Sequence, residues 1–280
     1  MKTFSSIKET ISYLEQQRIA KKSIGFVPTM GALHEGHLAL MHRAKKENDL
    51  LAVSIFVNPV QFNNADDLKK YPRTPEEDTK KLENVHCDVL FAPDVKEIYP
   101  EDVTVQYDFG SLDKVMEGAL RPGHFNGVAV VVKKLLDIIR PHRAYFGEKD
   151  FQQLILIKKL VEMEKIPVEI VSCPIVREPD GLAMSSRNRL LSSEERKIAP
   201  FIYQTLLEAK RRHDHICVNP LRQMIINIFK GNEHFKLEYF DIVDDKTLRP
   251  VDAWNDKVGT IACVAVWLGS VRLIDNIRII

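Results

Sequence analysis

The 280-residue chain contains little cysteine and no pattern that would put its cysteines to use. Its four cysteines, Cys87, Cys173, Cys217 and Cys263, lie far apart and form no C-x-x-C pair. Each lies in or near an apolar run, which favours reduced core cysteines over disulfide bonds or metal ligands.

Neither a charge surplus nor a long apolar run is present. Lys and Arg total 40 against 39 for Asp and Glu, so no overall field attracts nucleic acid or a membrane surface. No apolar run approaches the ~20 residues of a membrane span, and Met1–Ser6 lacks the apolar core of a signal peptide. With 45% hydrophobic and 28% charged residues, we expect a globular, cytoplasmic protein.

Three common nucleotide and metal motifs are missing from the glycine-bearing stretch Gly25–His37. No G-x-G-x-x-G follows the apolar run, so the dinucleotide fingerprint is absent. Gly31 and Gly36 have the spacing of a P-loop, but His37 and Leu38 replace its Lys and Ser or Thr. The two histidines are also one residue closer than in H-E-x-x-H. What is present is H-x-G-H.

The residues around H-x-G-H predict a strand, a turn and a helix. The apolar run ends at Pro28, after which Leu38, Met41 and Ala44 recur at helical spacing. A helix N-terminus favours an anion, because its backbone N–H groups are unpaired and carry partial positive charge. His34 and His37 add ring donors, so the stretch predicts a phosphate site. The alternative is two solvated histidines in an ordinary loop.

Strands alternate with helical patterns up to about residue 176, which predicts an α/β protein with a doubly wound parallel sheet. The predicted strands are 25–28, 50–57, 88–93, 143–146 and 168–176, with a more exposed strand at 103–107; Ser6–Glu9 predicts a capping box. After a predicted hinge at Arg177–Leu182 the order changes. Helical stretches at 193–212 and 220–230 precede strand-like runs at 237–243, 260–268 and 272–277, which predicts a smaller α+β domain.

Polar side chains collect in five loops. These are His34–His37, Asn58–Phe62, Arg121–Gly127, Gly147–Gln153 and Met184–Arg187. The first, second and fourth follow strands of a parallel sheet, so they lie at one edge and can converge on one cleft.

Individual side chains in these loops suit an anionic substrate. Lys149 at a helix start would meet phosphate oxygens as a mobile charge, although a solvated helix cap is the alternative. Gln61 and Gln153 carry amides that both donate and accept, which suits hydroxyl and carboxylate groups. Either glutamine alone is more often a surface residue. Arg121 and His124 are further potential anion donors.

Taken together, the motifs carry a resemblance to a known family. H-x-G-H resembles the signature of the class I adenylyl-transferring superfamily, and M-S-S-R at 184–187 resembles a degraded K-M-S-K-S loop. P-T-M-G-A-L-H-E-G-H, F-V-N-P-V-Q-F, Y-P-R-T, R-P-G-H-F-N-G-V, F-G-E-K-D-F-Q-Q-L and M-S-S-R-N, at 28–37, 56–62, 71–74, 121–128, 146–154 and 184–188, look like pantoate–β-alanine ligases.

This resemblance implies an ATP-dependent ligase that condenses pantoate with β-alanine through pantoyl adenylate, releasing pyrophosphate and AMP. It implies a Rossmann-like ATP- and pantoate-binding domain at 1–176 and a smaller C-terminal lid domain at 177–280. It also implies a cytoplasmic homodimer. Mg²⁺ would bind to the phosphates of ATP without a direct protein ligand, and Asp78 is the candidate for a contact near the metal.

The resemblance also implies roles for particular residues. The catalytic set would be His34, His37, Lys149, Ser185 and Arg187. ATP would be bound by Met30, Gly31, Ala32, Leu33, His34, Glu35, Gly36, His37, Gly147, Glu148, Lys149, Asp150, Val176 (through its backbone), Met184, Ser185, Ser186 and Arg187. Pantoate would be bound by Gln61 and Gln153, and β-alanine by Gln61.

Two other functions remain open from sequence. A nucleotidyltransferase of the same superfamily would stop at an adenylylated product, and it needs an acceptor phosphate. Gln61 and Gln153 suit a neutral or carboxylate acceptor better. A non-catalytic nucleotide-binding regulator is the other alternative, but it need not keep Lys149, both histidines and Ser185–Arg187 together.

Overall fold

A computed structural model describes residues 1–280, except for the side chain of Ala65. The chain divides into two compact units, one of residues 1–148 and 153–174 and the other of residues 149–152 and 175–280. In the described part of the chain, no helix is long and apolar enough to cross a membrane.

The first unit is built on a six-stranded sheet in which every neighbouring pair is parallel. Its strands are β1 (Lys2–Phe4), β2 (Ile24–Thr29), β3 (Leu50–Ile55), β4 (Val89–Phe91), β5 (Arg143–Gly147) and β6 (Glu169–Cys173), in the order β1-β4-β3-β2-β5-β6. From β2 the chain runs outward through β3 and β4, then returns to the other side of β2 with β5 and β6. The predicted doubly wound parallel sheet is therefore confirmed.

Helices cover both faces of this sheet. They are α1 (Ile7–Ile19), α2 (Glu35–Glu47), α3 (Ala65–Lys70), α4 (Pro75–Asn84), α5 (Val95–Ile98), α6 (Met116–Leu120), α7 (His124–Ile139) and α8 (Phe151–Met163). Successive strand residues point to opposite faces, so two core layers form. Phe26 and Ala52 pack in the layer that contains Leu136, whereas Val27 and Val53 pack with Met41.

The second unit places three helices beside a three-stranded antiparallel sheet. Its helices are α9 (Ser193–Ile198), α10 (Phe201–Arg212) and α11 (Val218–Lys230), and its strands are β7 (Phe235–Asp244), β8 (Thr260–Leu268) and β9 (Val271–Arg278), in the order β7-β8-β9. Val218, Leu221, Ile225 and Phe229 recur at helical spacing on α11 and are fully buried in the core. The smaller α+β part is confirmed.

Three local predictions were wrong. Residues 103–107 form no strand, because the Asn126 side chain accepts from the N–H of Tyr107 and donates to the carbonyl of Val105. Ser6 begins α1 without a side-chain cap. The helix predicted at 193–212 is two helices: α9 ends at Ile198, and Pro200, which has no N–H to continue it, is the N-cap of α10.

The segment predicted as a hinge is a hydrogen-bonded turn inside the second unit. Arg177 pairs with Ala183, the N–H of Glu178 donates to the carbonyl of Leu182 at 2.8 Å, and Gly181 has a φ of +95°. The Arg177 guanidinium donates to both oxygens of Asp275, at 2.6 and 3.0 Å. These bonds hold the turn to strand β9.

Arg177 and Asp275 form an ion pair that is nearly cut off from water. Their side chains are 16% and 3% exposed, and the guanidinium lies 3.7 Å from the centroid of the Tyr203 ring. Burial raises the pKa of the Asp275 carboxyl, while the Arg177 guanidinium opposes that shift. Removing either partner leaves the other buried and unpaired.

We therefore expect Asp275→Ala to lower the free energy of unfolding of the second unit by about 3–5 kcal/mol, the usual effect of breaking a buried pair. Urea denaturation followed by circular dichroism measures it. Glu194→Ala is the matched control, because the Lys197–Glu194 pair is 69% and 82% exposed. The control should lose less than about 1 kcal/mol, and equal losses in the two variants would contradict the expectation.

Candidate active site

The H-x-G-H motif lies where β2 passes into α2. His34 caps the N-terminus of α2 and His37 lies in its first turn. Their ring centroids are 4.0 Å apart, and the N–H of His34 donates to Nδ1 of His37 at 3.4 Å. Because Nδ1 of His37 accepts, the neutral ring carries its hydrogen on Nε2. The predicted pair of imidazoles therefore stands together at the helix N-terminus.

The turn before these histidines has an unusual backbone. Gly31 has a φ of +80° and Ala32 a φ of +48°. Glycine adopts this left-handed region freely, but a residue with a Cβ loses about 1–2 kcal/mol there. Asp78 on α4 supports the turn by accepting from Ala32 N at 2.9 Å and Leu33 N at 2.8 Å.

The residues predicted to bind ATP in this loop differ in what they expose. Ala32 and Leu33 are buried at 0% exposure, and their backbone N–H groups donate to Asp78. His34, Gly36 and His37 are half-buried, and Glu35 is exposed. The imidazoles of His34 and His37 are thus partly accessible at the helix N-terminus.

Gln61 is held in one orientation by its neighbours. Asn58 donates through Nδ2 to the carbonyl of Gly127 at 3.0 Å and to Oε1 of Gln61 at 3.1 Å. A carbonyl accepts only, which fixes the Asn58 amide and makes the Gln61 atom facing it an oxygen. The Gln61 amide nitrogen then lies 3.2 Å from Sδ of Met30.

Tyr99 completes this chain of bonds. Its hydroxyl donates to Oδ1 of Asn58 at 2.9 Å, and burial raises the pKa of Tyr99 above its ordinary value, so the phenol remains a donor at neutral pH. Tyr99 was missed from sequence as a site residue, and Asn58 was named only as part of the polar loop Asn58–Phe62.

Residues Arg121–Gly127, which lead into and begin α7, support the 3₁₀ turn Pro59–Gln61, the Gln61 turn. His124 is 7% exposed, and its Nδ1 lies 2.7 Å from the carbonyl of Gln61. Since a carbonyl only accepts, Nδ1 carries the hydrogen and Nε2 accepts from Arg121 at 3.2 Å. Arg121 and His124, considered from sequence as anion donors, therefore bind protein groups here.

Gly147 ends strand β5 at the carboxyl edge of the sheet, and Glu148 follows it as the first residue of a short 3₁₀ helix. That edge also carries the loops after β2 and β3, as predicted from the parallel order. Gln153 is half-buried on α8, whereas its neighbour Gln152 is buried at 4% exposure.

Lys149 and Asp150 belong to the second unit. The Lys149 side chain is 19% exposed, and its ammonium lies 3.8 Å from the Asp150 carboxylate. Asn276 on β9 donates through Nδ2 to the carbonyl of Lys149 at 2.9 Å. The main chain at the predicted phosphate-binding lysine is thus fixed by the last strand of the unit, a contact that sequence reasoning missed.

The remaining predicted residues lie on and after the turn of the second unit. The N–H of Met184 donates to the carbonyl of Val176 at 3.0 Å, so these two are side by side. The Ser185 hydroxyl accepts from the N–H of Arg187 at 3.3 Å and caps a short 3₁₀ helix, Ser186–Leu190. Ser186 is buried, and Arg187 is half-buried.

Among the described residues, no group of three or more His, Cys, Asp or Glu side chains could hold a metal ion. At Asp78, Oδ1 accepts from the N–H of Leu33 and the Thr74 hydroxyl, and Oδ2 accepts from the N–H of Ala32. A carboxylate with these partners has little capacity left for a cation.

A helix N-terminus carrying paired imidazoles, at the edge of a parallel sheet where the strand order reverses, defines an α/β nucleotide-binding protein. A sequence model described as pantoate-beta-alanine ligase matches residues 2–278. The chain therefore belongs to the pantoate–β-alanine ligase family. The family assignment and the ligase function predicted from the motifs are confirmed.

Relatives and solved structures agree with the family. The pantothenate synthetase of Porphyromonas gingivalis is 47% identical over 99% of each chain. The crystal structure of pantothenate synthetase from Thermus thermophilus is 43% identical, with a TM-score of 0.93 over 100% of this chain and 99% of that one. The pantoate-beta-alanine ligase of Francisella tularensis, complexed with beta-gamma ATP and beta-alanine, is 40% identical, with a TM-score of 0.83 over 99% and 97%.

Gly127 offers a direct test of how closely α7 approaches the Gln61 turn. A Cβ at residue 127 would lie 2.6 Å from the carbonyl oxygen of Val60, so the backbone must shift to admit it. We expect Gly127→Ala to lower the free energy of unfolding by about 1–3 kcal/mol, as overpacking does, measured by urea denaturation.

Gly147→Ala is the matched control for stability, because a Cβ there meets nothing within 4 Å. It should change the free energy of unfolding by less than about 0.5 kcal/mol. A Gly127→Ala protein as stable as this control would show that α7 does not press on the turn.

Proposed function

We propose that the protein joins pantoate to β-alanine in two steps. A pantoate carboxylate oxygen attacks the α-phosphorus of ATP, forming pantoyl adenylate as the bond to pyrophosphate breaks. The β-alanine amine then attacks the acyl carbon, loses a proton and expels AMP. Neither step needs covalent help from a side chain, so alignment and charge stabilisation supply most of the rate.

The observation that best supports this proposal is the pair of imidazoles at the N-terminus of α2. His34 and His37 have ring centroids 4.0 Å apart, and the helix end adds partial positive charge. In our proposal, Met30–His37 bind ATP, and His37, whose Nε2 carries the ring hydrogen, donates to the phosphates as negative charge moves toward pyrophosphate.

The other predicted residues take complementary roles. Lys149, Ser185 and Arg187 stabilise charge on the triphosphate, together with backbone groups of Gly147–Asp150, Val176 and Met184–Arg187. Gln61 and Gln153 bind pantoate, and Gln61 also meets β-alanine. The fixed Gln61 amide, with its oxygen on Asn58, presents its nitrogen as donor, which suits a carboxylate or hydroxyl acceptor. The lid role predicted for residues 177–280 stays a prediction.

Mg²⁺ enters this proposal as part of the substrate, bound to ATP. When bound it neutralises phosphate charge. Asp78 does not fit as its ligand, because the carboxylate already accepts from Ala32 N, Leu33 N and the Thr74 hydroxyl. We assign the ion no ligand of this chain.

Cytoplasmic location and a homodimer are further proposals, drawn from the family resemblance. Sedimentation equilibrium of the purified protein tests the second of these, and a mass of one chain at all concentrations would contradict it.

The direct test measures pyrophosphate and AMP from ATP with pantoate, with and without β-alanine. We expect pyrophosphate to form with pantoate, and AMP to be released in step with pantothenate only when β-alanine is added. A nucleotidyltransferase would ignore the amine, and a regulator would bind ATP without forming pyrophosphate. Either result would contradict the proposal.

Lys149→Ala tests the phosphate assignment. Removing one preorganised donor to developing charge typically costs about 2.7–4 kcal/mol, so we expect adenylate formation to slow by about 10²–10³. Single-turnover formation of pyrophosphate measures this rate.

Lys158→Ala is the control, since Lys158 is an exposed lysine on α8 and should leave the rate unchanged. The Lys149→Ala protein should also keep the circular dichroism spectrum of the wild type. A loss under about threefold, a small fraction of the donor effect, would mean that Lys149 is only a helix cap.

A further inference from the structure

The turn of residues 30–33 is held in shape from outside the loop. Two successive left-handed residues, Gly31 and Ala32, direct their backbone toward α4. An isolated loop with an alanine in this conformation would populate other shapes. The contacts that select one shape come from Asp78 and Lys81, which lie one turn apart on α4.

Asp78 binds the two backbone N–H groups that the turn presents. Oδ2 accepts from Ala32 N at 2.9 Å and Oδ1 from Leu33 N at 2.8 Å. The side chain is 1% exposed, so no water replaces these bonds. Thr74, the N-cap of α4, donates its hydroxyl to Oδ1 at 3.1 Å. This bond holds the carboxylate in its orientation.

Lys81 binds a backbone carbonyl of the same loop: its Nζ donates to the carbonyl of Leu33 at 2.6 Å. Gly31 lies close to Oδ2, since a Cβ at residue 31 would be only 3.1 Å from that oxygen. Loop backbone and Thr74 thus occupy the surroundings of the carboxylate, where a metal ion would have to bind.

Leu33 is followed directly by His34, the N-cap of α2. Whatever fixes the backbone of Leu33 therefore also fixes the point from which both imidazoles project. We propose that Asp78 is a positioning residue: its carboxylate selects the turn that orients the His34 and His37 imidazoles for ATP, and it contacts neither ATP nor its metal. This inference rests on the proposed function.

Asp78→Asn tests the proposal at nearly constant volume. The amide places an N–H donor against one of the two backbone donors, so the turn loses its selected shape. If residues 30–33 adopt the ATP-binding conformation about a tenth of the time, the apparent affinity for ATP falls about tenfold. We expect that weakening, or more, by calorimetry with ATP in EDTA, and a matching rise in KM for ATP. The Mg²⁺ concentration giving half-maximal rate should stay unchanged.

Amide hydrogen exchange supplies a readout that does not depend on activity. In the wild type the N–H groups of Ala32 and Leu33 should exchange slowly. In Asp78→Asn they should exchange at least about tenfold faster, as bonds to a lost acceptor do. If the wild type makes no pantothenate, the proposed function fails, whereas this measurement still decides whether Asp78 holds the turn.

Asp88→Asn is the matched control. Asp88 also accepts from a backbone N–H, that of Leu51 at 2.7 Å, and from Lys45, but it lies directly before β4, at the amino edge of the sheet. It should lower stability and leave the affinity for ATP within about twofold of wild type. If Asp88→Asn weakens ATP binding as much as Asp78→Asn does, the effect is general destabilisation and the proposal is overturned.

Two further results decide the case. If Asp78→Asn binds ATP in EDTA as the wild type does but needs more Mg²⁺, Asp78 is a metal ligand and the proposal is wrong. If Asp78→Asn does not fold, Lys81→Met removes the other anchor and should weaken ATP binding about threefold or more, with faster exchange at Leu33. Unchanged binding and exchange in that variant would overturn the proposal.

Discussion

Parallel pairing of β2 with β3 on one side and β5 on the other is the constraint on which the first unit depends. In a parallel sheet all carboxyl ends lie at one edge, so the residues after each strand share that edge whatever their separation in sequence. The chain reverses its direction of progress across the sheet at β2, which leaves space beside the loop after this strand. The H-x-G-H motif lies in that loop.

The loops at such an edge contain backbone N–H and C=O groups that form no hydrogen bonds with a neighbouring strand. In this protein, buried polar side chains form hydrogen bonds with these groups, and each side chain binds the backbone of a different loop. Asp78 binds N–H groups after β2, Asn58 binds the carbonyl of Gly127 and His124 binds the carbonyl of Gln61. In the second unit Asn276 does the same for Lys149. These buried polar side chains therefore bind the backbone, and other side chains remain to bind substrates.

The sequence predicted the parts of the fold that repeat a simple pattern. Continuous apolar runs identified β2 and β3, and helical spacing identified α2, because these elements are buried on both faces or on one stripe. Strand β1 was missed, since Lys2–Phe4 is too short to show a pattern. Residues 103–107 alternate like a strand, but their backbone is bound by the Asn126 side chain, which no local pattern reveals.

The candidate site could be predicted only in part for a related reason. Motifs mark side chains that suit a ligand, so the two histidines and Lys149 stood out. Residues that act through others, such as Asp78, Tyr99 and Asn276, have partners far away in sequence, and their chemistry shows only in the contacts. From sequence, Asp78 was the candidate for a contact near the phosphate-bound Mg²⁺; its bonds to the loop lead us to propose a positioning role instead.

The position of Asn276 and Asp275 on β9 has a consequence for biosynthesis. Asn276 is translated 127 residues after Lys149, and Asp275 is translated 98 residues after Arg177. Domains emerging from the ribosome tend to fold as units, N-terminal part first. The nascent chain thus carries an unanchored lysine loop and an uncompensated guanidinium until β9 has left the exit tunnel, so the second unit cannot finish folding while its early helices are being made.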